Sequence, residues 1–357
     1  MQTEITSFFN KITAIYKAQK PFVVYRKPNE ELVSLIVQNN TKLYELEDYN
    51  QQGFVFMPFY DNGRKVLFPA KECSTFQTKI TQYDTLLTKN SVVKITNDNN
   101  FNKAKEDHIN LVEKALKFIK EGKSQKIVLS RKEIIEFSHF NMVNTYKKML
   151  KNYINAYVYI WFHPQVGLWM GATPERLLNI KNNHFKTMAL AGTQPFVNTT
   201  DVVWKDKELQ EQQFVTDFII NNIKNSVDIK EINGPYTIKA GSLLHLRTDI
   251  SGELIHLNML KDLVTALHPT PAVCGLPKNT AQQFILENES YLRTYYSGFL
   301  GELNMHNSSQ LFVNLRCMQI INNCAEIFVG GGITNESVPE KEFEETVSKS
   351  QIMKNIL

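Results

Sequence analysis

The chemistry legible in this sequence starts with carboxylates three residues apart. Glu342 and Glu345, with Lys349 four residues further on, share one face of a helix expected after Gly330-Gly331-Gly332. Glu208 and Glu211 repeat the spacing on a second expected helix. Carboxylates so spaced can converge on a hard cation. Mg2+ takes one or two of them with waters and a substrate anion, so Glu211 from one helix and Glu345 from the other could hold one ion. Glycines let a ligand come close to backbone N–H groups. Taken alone, each helix reads more simply as a solvated, salt-bridged face.

Four further residues stand where proton transfer or anion binding could occur. Lys126 opens an apolar run. It is either a strand-end charge reaching water or, if burial beside other cations lowers its pKa, a base that activates water. Glu175 follows Thr173-Pro174 directly after another apolar run. Pro174 fixes the approach of the chain, so the carboxyl is either an exposed turn charge or a rigidly aimed general acid with a raised pKa. Arg316 closes Leu311-Phe312-Val313-Asn314-Leu315-Arg316, and an arginine in such a run needs an anion, internal or from a ligand. His268 opens a proline-rich loop to Pro277, where a lone histidine is more often structural. The chain carries no Walker A, dinucleotide-loop, Gly-x-Ser-x-Gly or His-Glu-x-x-His motif.

The elements that must position these residues follow from hydrophobic period. Ile5, Phe8, Phe9, Ile12 and Ile15 predict an amphipathic helix over 5–18. Strands are expected at 22–25, 32–37, 54–59 and 66–69, with a turn at Asp61-Asn62-Gly63. Asn-rich residues 95–103 read as a surface linker before a helix over 105–120 that stops at Gly122. Strands follow from Lys126 to Arg131, from Ala156 to Phe162 and up to Trp169-Met170, with a helix over 141–151. Two further segments flank 188–193, then a long helix is expected over 201–225. Strands at 236–239 and 243–251 and a helix over 257–267 lead to the proline-rich loop. A meander of 295–303, 310–321 and 324–330 closes the sheet, turning at Asn322-Asn323. The three glycines are expected to stop the last strand, with Ser337 as helix N-cap, Glu340 completing a capping box and Pro339 in the first turn. Hairpins mixed with helices argue for α+β.

The totals narrow the class. A length of 357 residues allows one large domain or two ordinary ones. A net charge of +4, with 40 Lys+Arg against 36 Asp+Glu and no long basic block, argues against nucleic acid. Cys73, Cys274, Cys317 and Cys324 form no Cys-x-x-Cys pair, which fits a reducing cytoplasm. The start of the chain does not read as a signal peptide, and no apolar run is long enough to span a membrane.

In order, Lys126-Ile-Val-Leu-Ser-Arg131, Gly171-Ala-Thr-Pro-Glu175, Ala189-Leu-Ala-Gly-Thr193, the Glu208/Glu211 helix, His268-Pro-Thr-Pro271, Tyr296-Ser-Gly298, Leu315-Arg316 and Gly330-Gly-Gly-Ile333 through Glu345-Thr346 to Lys349 resemble the chorismate-binding enzymes. That family includes isochorismate synthase, salicylate synthase, anthranilate synthase component I and aminodeoxychorismate synthase. The resemblance covers residues 105–357, with 1–104 expected to complete the sheet and core of one continuous domain.

The resemblance implies one large α+β domain of two stacked, mostly antiparallel sheets with outer helices, acting on chorismate as a monomer. It implies that Glu211 and Glu345 bind Mg2+, with Glu208 and Glu342 in support, and that the ion holds the ring carboxylate. Tyr296, Arg316, Lys349 and backbone N–H groups at Gly331 and Gly332 would receive the enolpyruvyl carboxylate. Thr193 and His268 would line the ring pocket. Lys126 would activate water for attack at C2, and Glu175 would protonate the departing C4 hydroxyl. Lys126 and Ala189-Leu-Ala-Gly-Thr193 resemble the water-using branch, which implies isochorismate synthase, serving menaquinone or siderophore formation. The alternatives are salicylate synthase, which also eliminates pyruvate, and an inactive chorismate-binding relative. Gln212, beside the metal glutamate, departs from the family's frequent histidine, and Cys274 stands where a serine or another small residue is common.

Overall fold

Several apolar runs are buried at every position, as in Phe22–Arg26 and Tyr157–His163. Strands of that kind need cover on both faces, so they demand more than one layer. The computed structural model, which describes residues 4–81, 101–240 and 243–357, supplies those layers as two stacked nine-stranded sheets with helices outside. The first sheet runs Gly275–Leu276, Lys126–Glu136, Cys324–Ile333, Cys317–Ile321, Gly167–Thr173, Tyr157–His163, Phe22–Arg26, Leu32–Gln38, Cys73–Lys79. The second runs Val227–Ala240, Leu243–Leu254, His184–Pro195, Arg176–Lys181, Ser308–Val313, Phe299–Met305, Gly53–Met57, Val66–Pro69, Tyr44–Glu45. Every pairing among these strands is antiparallel.

The space between the sheets is filled by aromatic rings. Trp161 of the first sheet stacks on Phe56 and Phe68 of the second at 4.5 and 5.2 Å between centroids. Tyr157 stacks on Phe312 at 4.2 Å. Large flat rings bury much apolar area and fix the sheet separation. The outer face of the first sheet packs on helices Ile5–Lys17, Met142–Asn152 and Pro339–Lys354, through Phe8, Tyr146 and Ile352. The outer face of the second packs on Asp206–Ile223 and Leu260–Leu267, through Ile219 and Leu263. The α+β architecture is therefore the expected one, and residues before 80 supply three strands to each sheet. Among the described residues no helix is long and apolar enough to cross a membrane.

Four expectations need correction. Residues 310–321 are two strands in different sheets, parted at Asn314–Arg316. The glycines do not stop their strand, which continues to Ile333 with Gly331 opposite Leu129 and Gly332 opposite Val128. Ser337 is not the N-cap: Val338 is, and the Ser337 hydroxyl instead accepts from the Thr334 N–H at 3.1 Å. The linker expected at 95–103 lies outside the described residues up to 100, and its last three residues open helix Phe101–Lys120.

Candidate active site

Two short links carry the chain from one sheet to the other. Pro174-Glu175 joins Gly167–Thr173 of the first sheet to Arg176–Lys181 of the second, and Asn314–Arg316 makes the return from Ser308–Val313 to Cys317–Ile321. The links lie side by side, because the Val313 N–H donates to Glu175 O and the Ala172 N–H to Arg316 O, each at 3.0 Å. Arg316 is held at φ +47°, an uncommon conformation for a side-chain-bearing residue. Buried Asn314 secures the bend: its Oδ1 accepts from the Tyr159 hydroxyl at 2.6 Å and its Nδ2 donates to Tyr295 O at 3.0 Å. The Ser297 N–H donates to Asn314 O at 2.9 Å, which brings Tyr296 alongside. Glu175, Tyr296 and Arg316 thus face one cleft of about 1070 Å3, its open mouth included.

Burial dominates the electrostatics of this wall. The Glu175 side chain is 4% exposed, and desolvation pushes its pKa up to about 7 against the opposing pull of Lys126, the Thr270 hydroxyl, Arg316 and Lys349. Burial also lowers the Arg316 guanidinium to about 10, so it stays cationic at neutral pH. Its Nη2 lies 2.8 Å from His245 Nε2. Guanidinium only donates, so Nε2 must be the bare nitrogen, and Nδ1–H donates to Gly192 O at 3.0 Å. Burial, then Arg316 and Lys349, hold His245 down to about 3, which agrees with a neutral ring. Thr193 Oγ1 stands 3.3 Å from the same Nδ1.

The opposite wall is helical. Strand His184–Pro195 bulges between Ala191 and Gln194, with Gly192 at φ +66°. The Gln212 side chain spans the disturbed ladder: Oε1 accepts from the Ala191 N–H at 2.9 Å, and Nε2 donates to Ala189 O at 3.2 Å and Thr248 Oγ1 at 3.0 Å. This clamp docks helix Asp206–Ile223 so that Glu208 and Glu211 line the cleft. Glu211 Oε1 pairs with the Nζ of fully buried Lys126 at 2.7 Å. Burial works to raise the Glu211 pKa, but Lys126, then Lys349 and Lys207, overcome it and hold the carboxyl below its ordinary value. On helix Pro339–Lys354, Glu345 pairs with Lys349 at 2.7 Å, and Glu342 with Lys207 at 3.2 Å. Lys349 also donates to Gly330 O at 2.9 Å. Burial and the neighbouring Glu345 raise the Glu342 pKa.

The glycines are needed here for space, since none of the three has a positive φ. A Cβ on Gly332 would lie 2.9 Å from Lys126 Cε and 3.0 Å from Glu211 Oε1. One on Gly331 would lie 3.4 Å from Glu342 Oε2 and 3.7 Å from Glu345 Oε1. Successive strand residues face opposite ways, so the pair touches both carboxylate helices.

The donor set suits a hard cation. Glu208 Oε2 is buried without a hydrogen-bond partner, beside the carboxylates of Glu211 and Glu345 in the same lining. Among the described residues no group of three or more His, Cys, Asp or Glu is arranged to hold a metal ion, so a cation here would need Glu211 and Glu345 turned from their lysines and further oxygens from water or substrate.

Of the residues the sequence singled out, Glu175, Thr193, Glu208, Glu211, Tyr296, Arg316, Gly331, Gly332, Glu345 and Lys349 line one cleft, with Lys126 and Glu342 bound to its walls. His268 is the exception. It ends helix Leu260–Leu267, its N–H donates to Val264 O at 2.8 Å, and its ring packs edge-on against Phe299 with Nε2 3.3 Å from Pro58 O. The cleft histidine is His245, which sequence reasoning missed although a histidine between Leu244 and Leu246 in a strand was a visible signal.

A family model described as chorismate binding enzyme matches residues 60–357. Isochorismate synthase MenF of Escherichia coli is 29% identical over 260 residues, 69% of this chain and 59% of that protein. Isochorismate synthase MenF of Bacillus subtilis is 30% identical over 259 residues, 70% of this chain and 55% of that protein. The chain therefore aligns with between half and two thirds of the length of these relatives. The solved structure of the menaquinone-specific isochorismate synthase from E. coli superposes with a TM-score of 0.78 at 22% identity, over 94% of this chain and 88% of that one, and shares the fold.

Proposed function

The chain belongs to the chorismate-binding enzymes, and on that premise we propose that it converts chorismate to isochorismate. Lys126 takes a proton from water as the water adds at C2, the ring double bond shifts, and Glu175 gives its proton to the C4 hydroxyl, which leaves as water. One water enters and one leaves, so the net change is an isomerisation. The observation that carries this reading is Glu175: a buried carboxyl raised to about 7, in a cleft whose facing wall carries Glu211 paired with buried Lys126, is protonated often enough at neutral pH to act as the acid.

Arg316 receives the enolpyruvyl carboxylate, with Tyr296 and Lys349 beside it, and neutral His245 fixes the plane of the guanidinium. Glu211 and Glu345 would hold Mg2+, with Glu208 and Glu342 in support, and the ion would neutralise the ring carboxylate. Charge balance favours this pairing. Glu211, Glu342 and Glu345 are each paired with a lysine, so a dication and a dianion entering together leave the net charge of the cleft unchanged. Glu211 turning to a cation would also release its ion pair with Lys126.

The test is chorismate incubated with the chain, with and without Mg2+, read by mass and ultraviolet spectrum. A Mg2+-dependent isomer of unchanged mass supports the reading. Loss of pyruvate with an aromatic product assigns salicylate formation, and unchanged chorismate in both tubes rejects an enzyme of this kind.

A further inference from the structure

A second cavity, about 2280 Å3 with its open mouth, adjoins the cleft and shares only Pro174 and Arg316 with it. Its described lining carries four cations, Arg176, Lys239, Arg247 and Arg316, and no carboxylate. Acids act on it from outside that lining: Glu175 on Arg316, and Asp249, whose Oδ1 accepts from Arg247 Nε at 2.9 Å and Nη2 at 2.6 Å. Arg176 makes no such bond: burial, then Arg247, lower its pKa, and Asp249 only partly offsets them. Its Nε is buried without a hydrogen-bond partner, and the guanidinium sits 6.0 Å from the Phe312 ring centroid. A buried donor left unpaired is costly, and four like charges around one space repel unless an anion joins them. Met188, Ile238 and Ile352 give the same cavity an apolar side.

We propose that this cavity binds a small organic carboxylate with an apolar body, gripped by Arg176 and Arg247, at a site distinct from the reaction cleft. The site is joined to the chemistry by covalent structure. Arg176 follows Glu175 in the chain, and Arg316 borders both spaces. Two sources share this ligand chemistry: chorismate on its way to the cleft, which rests on the function proposed above, or a separate carboxylate that modulates the enzyme.

The first measurement does not depend on the reaction. Succinate and benzoate, titrated at constant ionic strength, should raise the thermal midpoint of the full chain. The variant Arg176→Gln/Arg247→Gln should lose at least half of that rise, and a full rise in the variant would overturn the proposal. The single variant Arg176→Gln leaves the Arg247–Asp249 pair intact and gives the same reading if the double variant does not fold. The second measurement separates the sources. If chorismate passes through the cavity, the variant raises KM about fivefold or more, keeps kcat within about twofold and flattens the salt dependence of kcat/KM. If a separate carboxylate is the occupant, KM without additives is unchanged and the response of the rate to succinate or benzoate disappears. A variant whose kinetics, salt dependence and additive response all equal those of the parent chain would refute both.

Discussion

On one wall of the cleft, Glu175 and Arg316 sit on two-to-three-residue links between sheets, and backbone hydrogen bonds lock those links together. On the other wall, Glu211, Glu342 and Glu345 ride on helices and each is matched by its own lysine. Both walls are largely buried, yet their carboxyls behave differently. Glu175 has no lysine within ion-pair distance, so desolvation prevails and its pKa rises to about 7, with neutral and ionised forms comparable at that pH. Glu211 has Lys126 at 2.7 Å, so its charge is kept. The carboxyl that must donate a proton is thus held apart by rigid backbone, whereas Glu211, which must stay anionic, is carried against a lysine; Glu342, paired with Lys207 yet raised by burial and Glu345, lies between the two.

The most damaging way to break that contrast is to remove the proton-transfer pair. Glu175→Gln and Lys126→Ala should each lower kcat roughly 10^3-fold, with chorismate binding changed by no more than a few-fold, because general acid–base groups contribute about 10^2 to 10^4. Rapid-quench turnover beside equilibrium binding measures both quantities. Near-normal turnover in either variant removes that residue from its role.

The next largest effect is on stability. The folded pKa of Glu175 lies above its ordinary 4.5, at about 7, so the native state holds this proton more tightly than the unfolded chain does. Its contribution is full below pH 4.5 and is lost as pH rises to about 7. That difference corresponds to about 3 kcal/mol. Glu175→Gln, which stays neutral, should flatten this part of the pH–stability curve in metal-free denaturant titrations. The alkaline fall in the wild-type rate should begin near the same pH. A variant with the parent's pH slope would mean that burial does not govern this wall.

The paired wall should answer to metal instead. Glu345→Ala should weaken the apparent Mg2+ affinity at least tenfold in a chorismate assay, whereas Glu175→Gln should leave it unchanged. A metal-independent parent enzyme, or equal shifts in both variants, would erase the distinction between the walls.

What could be read from the sequence was whatever is local. Apolar runs and helical stripes gave most elements of both sheets, and i, i+3 carboxylates gave the helix faces. The sheet-to-sheet return at Asn314–Arg316 was hidden, because apolar residues on both sides of it read as one strand and the bend is made at Arg316 without a glycine or proline to announce it. The reverse error arose at Gly330–Gly332, where glycines that ordinarily signal a turn instead clear space beside Lys126 and Glu211. Contacts such as Lys126–Glu211, separated by 85 residues, have no local signature, and only the order of motifs shared with a known family brought them together in advance. His268 drew attention as a loop histidine, while His245, inside a strand, did not.

Gln212 offers the gentlest and sharpest test of whether the two walls are independent. The sequence marks it only as a departure beside Glu211, but the structure makes it the clamp between the helical wall and the bulged strand. Gln212→Ala leaves the Ala191 N–H unsatisfied in a buried setting and should cost about 1–3 kcal/mol of stability. Because Glu211 is the next residue, the Mg2+ affinity should weaken a few-fold as the helix loosens. Glu175 is positioned by the links instead, so the pH at which the rate declines should stay where it was. If the Mg2+ dependence and the pH profile move together in this variant, the cleft is one coupled unit and its walls were never separately tuned.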